Sequence, residues 1–357
     1  LVKIFKFAMA PSIPKTAAAW TVSVADDFSG LKFNKDTPVP ALSDNDVLVR
    51  LYAASLNYRD LIIAKGQYPF GFKENVIPGS DGAGEVVAVG SKVTRFKVGD
   101  KVVTLFNQYH LGGDLTPENG GGGLGGLLDG TLRQYGAFNE NGLVELPSTL
   151  SYEEGATLSC AGVTAWNALY GLKPLKAGDV VLTQGTGGVS IFGAQFAKAA
   201  GATVIATTGS AQKAELLKKL GVDHIINYKE DPNWGKTAKA LTPKGHGVDH
   251  VIEVGGPGTM AQSLEAIKMG GVISIIGFVA QGDEKQPTFL EALQRNAIAR
   301  GIIVGSRVQH EEMNRSIDVN KIKPAVDQKI FSLEQLKEAF QYQWDQKHFG
   351  KVVVKID

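Results

Sequence analysis

Hydrophobic and polar positions fall into two rhythms along the chain. From residue 20 to about 150, short β-type runs alternate with turn signals. Examples are Asp46-Val-Leu-Val-Arg-Leu-Tyr52, Gly84-Glu-Val-Val-Ala-Val-Gly90 and Val98-Gly-Asp-Lys-Val-Val-Thr104, the last opening on a Gly-Asp turn. This half predicts a small, strongly bent antiparallel or barrel-like sheet. From about 155 to 305 strands alternate with helices. Strands are predicted at 179–183, 202–207, 224–227, 248–253 and 271–277, with helices at 190–200, 211–220 and 263–268. Such alternation implies parallel βαβ units and a doubly wound sheet. The last segment predicts helices near 311–317 and 333–342 on either side of a turn at Pro324, then a strand at 350–356 that returns to the first sheet. The expected fold class is therefore α/β. Residues 154–306 form an insertion in a discontinuous, mainly β unit made of 9–153 and 307–357.

Composition narrows the function. The 357 residues suit about two domains. Lys and Arg number 37 against 36 Asp and Glu, which excludes a strongly basic nucleic-acid-binding domain and a polyanionic tail. One cysteine, Cys160, excludes an intramolecular disulfide framework and a Cys-rich zinc lobe, and it suits a reducing, cytoplasmic setting. No run approaches the ~20 apolar residues of a membrane span. Met9 is the expected start of the native protein, with residues 1–8 foreign to it. Between Gly112 and Gly130 lie nine glycines, read as a flexible surface loop or, alternatively, a lid over a pocket.

The strongest chemical signal is the run Gln184-Gly185-Thr186-Gly187-Gly188-Val189, which follows an apolar strand and opens a helix. Glycines there let backbone approach a pyrophosphate, and the helix N-terminus offers free N–H groups. A dinucleotide is expected. The next strand ends Thr207-Thr208-Gly209-Ser210, without the carboxylate that an NAD ribose would require. Ser210, Lys213 and Tyr228 instead suit a 2′-phosphate, so the expected cofactor is NADPH/NADP+. Val254-Gly255 and Gly277-Phe278 end later strands and should border the nicotinamide crevice.

Several further motifs carry a resemblance. They are Asn57-Tyr-Arg-Asp60, Gly66-Gln-Tyr68-Pro, Ile77-Pro-Gly-Ser-Asp-Gly-Ala-Gly-Glu-Val-Val87, Cys160-Ala-Gly-Val-Thr164-Ala-Trp166, Ile226-Asn-Tyr228 and His348-Phe-Gly-Lys351. With the glycine run, they resemble the medium-chain dehydrogenase/reductase superfamily in its zinc-free, quinone-oxidoreductase-like branch, from about Lys15 to Ile356. The resemblance implies a GroES-like catalytic domain enclosing a Rossmann domain, a small-molecule substrate in the cleft between them, and a homodimer formed through the Rossmann sheet. It implies that Thr164 touches the nicotinamide and that Lys351 reaches the cofactor phosphates. Zinc-dependent members carry Cys at the position of Asn57, a His-Glu pair at Ser80 and Asp81, and Cys or Asp in the segment of Cys160. Only Cys160 matches, so no metal is expected.

Without a Lewis acid, charge that develops during hydride transfer must meet a hydrogen-bond donor or a proton source. The candidates are Tyr68 as proton donor or aromatic pocket wall, Asn57 as a neutral donor at the vacated metal position, and Asp60 or Arg59 as its organiser. His110 borders the glycine-rich stretch and is a weaker candidate. The expected activity is NADPH-dependent hydride transfer to an activated alkene, a quinone or a reactive carbonyl. A zinc-free NADP-dependent alcohol dehydrogenase and a non-catalytic NADPH-binding protein are the alternatives.

Overall fold

The computed structural model describes residues 13–24, 27–280 and 286–357; Met9 and the segment 1–8 lie outside them. In chain order the strands are β1 (Thr16–Val22), β2 (Leu31–Pro38), β3 (Asp46–Ser55), β4 (Asp81–Val89), β5 (Lys101–Thr104), β6 (Tyr135–Asn139), β7 (Leu143–Glu145), β8 (Val180–Gln184), β9 (Thr203–Thr208), β10 (His224–Asn227), β11 (Val248–Glu253), β12 (Ile267–Ile275), β13 (Ile298–Gly301), β14 (Phe331–Ser332) and β15 (Val353–Lys355). The helices are α1 (Tyr58–Ala64), α2 (Pro117–Gly120), α3 (Tyr152–Gly155), α4 (Val163–Tyr170), α5 (Gly188–Ala199), α6 (Ala211–Lys219), α7 (Trp234–Ala240), α8 (Met260–Ala266), α9 (Phe289–Gln294), α10 (Arg307–Asn320) and α11 (Leu336–Trp344).

Strands β8 to β13 form one parallel sheet in the order β10-β9-β8-β11-β12-β13, the doubly wound arrangement that alternation predicts. All residues of β8 and β11 are buried, because helices cover both faces of the sheet. The second sheet runs β14-β15-β3-β4-β5-β7, with β6 also on β3. Its long strand β3 alternates apolar positions and bends at two register shifts against β4. The final strand β15 does return to it, pairing antiparallel with Ala53–Ser55. Helix α7 went unpredicted because Trp234-Gly-Lys-Thr-Ala-Lys-Ala240 is too short and polar to show a period. Helix α8 begins and ends earlier than expected, and β12 starts at Ile267.

The glycine-rich stretch departs from a flexible loop. Residues 111–118 are exposed, but 122–126 are buried, with Leu124 in the core. They close around Arg59, whose Nη1 donates to Leu124 O at 2.6 Å. A Cβ on Gly126 would lie 2.1 Å from Arg59 Nη2, so only glycine leaves room for the guanidinium. Here glycine serves a close approach of backbone to a cation, which composition cannot distinguish from flexibility.

Helix α10 packs against α4 and β7 and buries His310 completely. Neither ring nitrogen has a hydrogen-bond partner, and burial pushes the imidazole pKa from 6.5 down to about 3. The unfolded chain therefore takes up a proton below pH 6.5 that the folded chain refuses. Stability is intact above that pH and falls with acidification, this residue contributing about 1.4 kcal/mol per pH unit. Asp60 acts oppositely, since burial raises its pKa from 3.8 to about 6 and the folded state gains a proton first. Urea unfolding at pH 7 and pH 5 should give a His310→Leu variant a smaller acid loss than wild type, by about 2 kcal/mol. Equal losses would refute the assignment.

Candidate active site

The phosphate loop follows directly from β8. Gly185 takes φ +71°, a left-handed conformation natural to glycine, and Gly187 caps α5. Ser190 Oγ donates to Gln184 O at 2.6 Å and pins the turn. No atom lies within 4 Å of where a Cβ would stand on Gly185 or Gly187, so the loop's backbone is open to a ligand. Thr186 O accepts from Gly350 N at 2.9 Å, which ties this loop to the returning C-terminal segment. The turn brings Gly185, Thr186, Gly187, Gly188 and Val189 together as expected.

At the carboxyl end of β11 stands a residue that sequence reasoning missed. Glu253 is fully buried at the edge of the crevice. Its Oε1 accepts from Gly255 N (3.0 Å), Gly256 N (2.8 Å) and Thr259 Oγ1; its Oε2 accepts from Gln184 Nε2 (2.7 Å) and Ser263 Oγ. Gln184 Oε1 in turn accepts from the N–H groups of Val254 and Gly255, both at 3.2 Å. The two strand ends that flank the sheet's switch point are thus locked by one carboxylate. Its signal was a charged residue ending an otherwise apolar strand just before Gly-Gly. Thr164 is buried in the first turn of α4.

At the end of β9, Ser210 caps α6 by accepting from Lys213 N at 3.3 Å. Register places Asn227 beside Thr208, which puts Tyr228 next to Gly209, and Tyr228 is 44% exposed. Lys213 Nζ donates to Gln346 O at 2.9 Å, and burial lowers its pKa. His348 lies nearby, its pKa pushed down to about 4 by burial and by the Lys213 charge. Ser210, Lys213 and Tyr228 therefore do share one corner, with Lys213 held by the 346–348 turn.

Asn57 sits at the N-terminus of α1. Its Nδ2 donates to Ser80 Oγ at 3.2 Å, and Ser80 Oγ donates to Asp81 Oδ1 at 2.8 Å. Its Oδ1 accepts from Lys351 Nζ at 2.6 Å. The same ammonium donates to Leu56 O (2.7 Å) and Asp81 Oδ2 (3.3 Å) and is 4% exposed. The Lys351 stem crosses Gly188, and its head turns into the Asn57 pocket. Asp60, expected as the organiser of Asn57, is buried in the first turn of α1, and its Oδ2 accepts from Asn57 N at 2.8 Å. Asp60 is a positioning residue for Asn57.

Tyr68 is half-buried, with the Arg59 guanidinium 5.1 Å from its ring centroid and Phe70 edge-on at 5.5 Å. The same Arg59 lies over Phe106. His110 Nε2 donates to Gly113 O at 2.9 Å and so shapes the exposed 111–118 stretch. A cleft of about 1240 Å³ opens between the 110–115 segment with Phe70 on one side and Gly256, Gly277, Phe278 and Arg300 on the other. The Asn57 and Lys351 pocket is not part of its lining, so the cleft's size alone does not locate the chemistry. Gly277 and Phe278, at the strand ends, border it.

Comparison with known proteins agrees with this layout. Residues 43–148 match the alcohol dehydrogenase GroES-like domain, and residues 188–319 match the zinc-binding dehydrogenase domain. A zinc-type alcohol dehydrogenase-like protein of Schizosaccharomyces pombe is 48% identical over 342 residues, covering 94% of this chain and 98% of its own. The chain belongs to the medium-chain dehydrogenase/reductase superfamily. Among solved members of the superfamily, a putative alcohol dehydrogenase from Sinorhizobium meliloti superposes with a TM-score of 0.88 at 37% identity, covering 96% of this chain and all of that one. A quinone oxidoreductase of Pseudomonas syringae superposes at 0.79 with 25% identity, covering 95% and 99%.

The matched domain is named for zinc binding, and the Asn57 pocket is where such an ion would sit. Catalytic zinc takes three protein donors, drawn from thiolate, imidazole and carboxylate. Here the pocket presents an amide, a hydroxyl, one carboxylate already bound to an ammonium, and Cys160, whose thiol burial and the Asp81 charge push up to about 12. The ammonium hydrogen-bonded to this amide and this carboxylate repels a dication. Among the described residues no group of three or more His, Cys, Asp or Glu is arranged to hold a metal. The residues do not fit zinc. They do fit a nicotinamide dinucleotide, through the open phosphate loop and the Ser210 corner. Among the described residues, no helix is long and apolar enough to cross a membrane.

Proposed function

We propose that this protein is a zinc-independent, NADPH-dependent oxidoreductase that transfers hydride to an activated alkene, a quinone or a reactive carbonyl. The observation that carries this reading is the Lys351 ammonium bonded to Asn57 Oδ1, a buried positive charge set where a metal would otherwise be needed. Bound NADPH supplies the hydride. Residues 185–189 would hold its pyrophosphate on the α5 N-terminus. Ser210, Lys213 and Tyr228 would take the 2′-phosphate, Thr164, Val254, Gly255, Gly277 and Phe278 would flank the nicotinamide, and Tyr68 would face the acceptor as proton source or wall.

The test is NADPH oxidation with one enone, one quinone and one aldehyde, a chelator being present throughout. Turnover of at least one acceptor is expected, and NADH should serve at least tenfold less well. Silence on all three alongside tight NADPH binding would overturn the reductase reading in favour of a binding protein. The alcohol dehydrogenase names of the yeast and Sinorhizobium relatives favour a second reading, alcohol oxidation with NADP+. Chelator-resistant alcohol turnover faster than every reduction would establish it.

We further propose that two copies pair through the open edge of the parallel sheet. Strand β13 ends that sheet, and Phe289 (92% exposed), Leu290, Leu293 and Ile298 stand apolar beside it. Sedimentation should find a dimer in wild type and a monomer in Leu293→Glu/Ile298→Lys. A wild-type monomer at micromolar concentration would dismiss it.

A further inference from the structure

A buried ammonium is stable only when its hydrogens find acceptors. Lys351 meets that condition fully: Leu56 O, Asn57 Oδ1 and Asp81 Oδ2 use its three N–H groups. It therefore has no hydrogen left to offer a substrate. Its shortest bond is to Asn57 Oδ1, and that bond decides how the Asn57 amide faces. The Ser80 hydroxyl confirms the same orientation, because its own proton is directed to Asp81 Oδ1, leaving its oxygen to accept from Asn57 Nδ2. The Asn57 Nδ2 group has two hydrogens, and Ser80 takes one. The second has no acceptor among the described residues. An ammonium on the oxygen side of an amide withdraws electron density and strengthens the N–H groups as donors.

We infer that the free N–H of Asn57 binds the acceptor's oxygen, and that Lys351 is the positioning residue that orients and polarises it in place of a metal ion. The inference rests on the reductase reading above. The ligand class it implies is a conjugated or simple carbonyl compound. On reduction, the acceptor carbon gains a C–H bond from the hydride of NADPH, which becomes NADP+. The displaced π-electron pair moves to the carbonyl oxygen, directly in an aldehyde or through the conjugated system in an enone or quinone. The Asn57 N–H stabilises that oxygen anion, and a proton from water completes the product. The Lys351 stem also packs on Gly188, where a Cβ would approach its Cδ to 2.5 Å. The polarising charge is thereby set in register with the loop that would hold the cofactor.

The test is a mutant cycle on the acceptor that wild type turns over best. Asn57→Ala and Lys351→Met should each lower kcat about 100-fold, the range for losing one oxyanion donor. NADPH affinity, read by fluorescence titration, should change less than threefold. The double variant should be no slower than the worse single variant, because Lys351 acts through Asn57. Lys351→Arg, which keeps the charge, should recover part of the loss. Should Lys351→Met fail to fold, Lys351→Met/Asp81→Asn removes the ion pair as a neutral unit and carries the same expectation. An unchanged kcat in Asn57→Ala, or losses that multiply in the double variant, overturns the inference while the reductase reading stands. A Lys351→Met defect confined to NADPH affinity returns Lys351 to the cofactor phosphates. Wild-type silence on every acceptor overturns both readings together.

Discussion

Replacing Glu253 by alanine is expected to lower the unfolding free energy by about 3–5 kcal/mol and to weaken NADPH binding at least tenfold. The magnitude follows from what the carboxylate satisfies. Five donors converge on it: the N–H groups of Gly255 and Gly256, Thr259 Oγ1, Ser263 Oγ and Gln184 Nε2. Truncation leaves all five inside the protein; Gly255 N, Gln184 Nε2 and Thr259 Oγ1 keep second acceptors in Gln184 Oε1, Ser263 Oγ and Gly256 O, whereas Gly256 N and the Ser263 hydroxyl lose theirs, at about 1–3 kcal/mol for each buried, unpaired donor before any water enters. The sum is not additive, because Thr259 and Ser263 can rotate their hydroxyls toward other acceptors. Cofactor binding should suffer because the same bonds hold the 254–256 turn and the end of β8 against each other. Glu253→Gln should lose less, since it keeps the volume and one acceptor oxygen. Urea unfolding and fluorescence titration read the two effects separately. A Glu253→Ala variant within 1 kcal/mol of wild type would show that water replaces the carboxylate at little cost.

Gly188→Ala is expected to reduce turnover at least 100-fold with a smaller stability loss of about 1–3 kcal/mol. The added methyl would stand 2.5 Å from Lys351 Cδ and 3.1 Å from Ala161 Cβ. A lysine with a free head would swing aside cheaply. Lys351 cannot, because its ammonium is held by three acceptors on the far side of the crevice. Either the stem shifts and carries the ammonium off Asn57, or α5 retreats and carries the phosphate loop away. Both disturb alignment between cofactor and acceptor, and alignment is what hydride transfer needs most from the protein. Steady-state kinetics beside thermal unfolding would check the split. Wild-type turnover in this variant would mean that Lys351 relocates without consequence.

The glycine at 188 shows how one residue was legible in one role and silent in another. Its place between an apolar strand and a small-residue helix identified the tight βα turn, since those signals are local. Its second duty, yielding space to a lysine from residue 351, leaves no local trace. Lys351 itself was assigned to the phosphates on resemblance, and the ion pair with Asp81 is visible only once β15 pairs with β3 and the chain returns over Thr186. Asp60 reads from the sequence as an organiser of Asn57, and the backbone of α1 shows the means, a carboxylate at the third helical position accepting from Asn57 N.

The sequence by itself determined the doubly wound sheet, the glycine-rich turn from β8 into α5 and the return of the last strand, because periodicity, turn chemistry and glycine spacing are local properties that short segments express alone. Only the tertiary structure decided which polar groups meet. The Glu253 network joins residues 184 to 263, Arg59 is enclosed by a glycine-rich stretch some 65 residues later, and the Asn57 amide is oriented by an ammonium 294 positions away. Such contacts exchange hydration for buried hydrogen bonds, and that exchange is favourable only where packing has already excluded water.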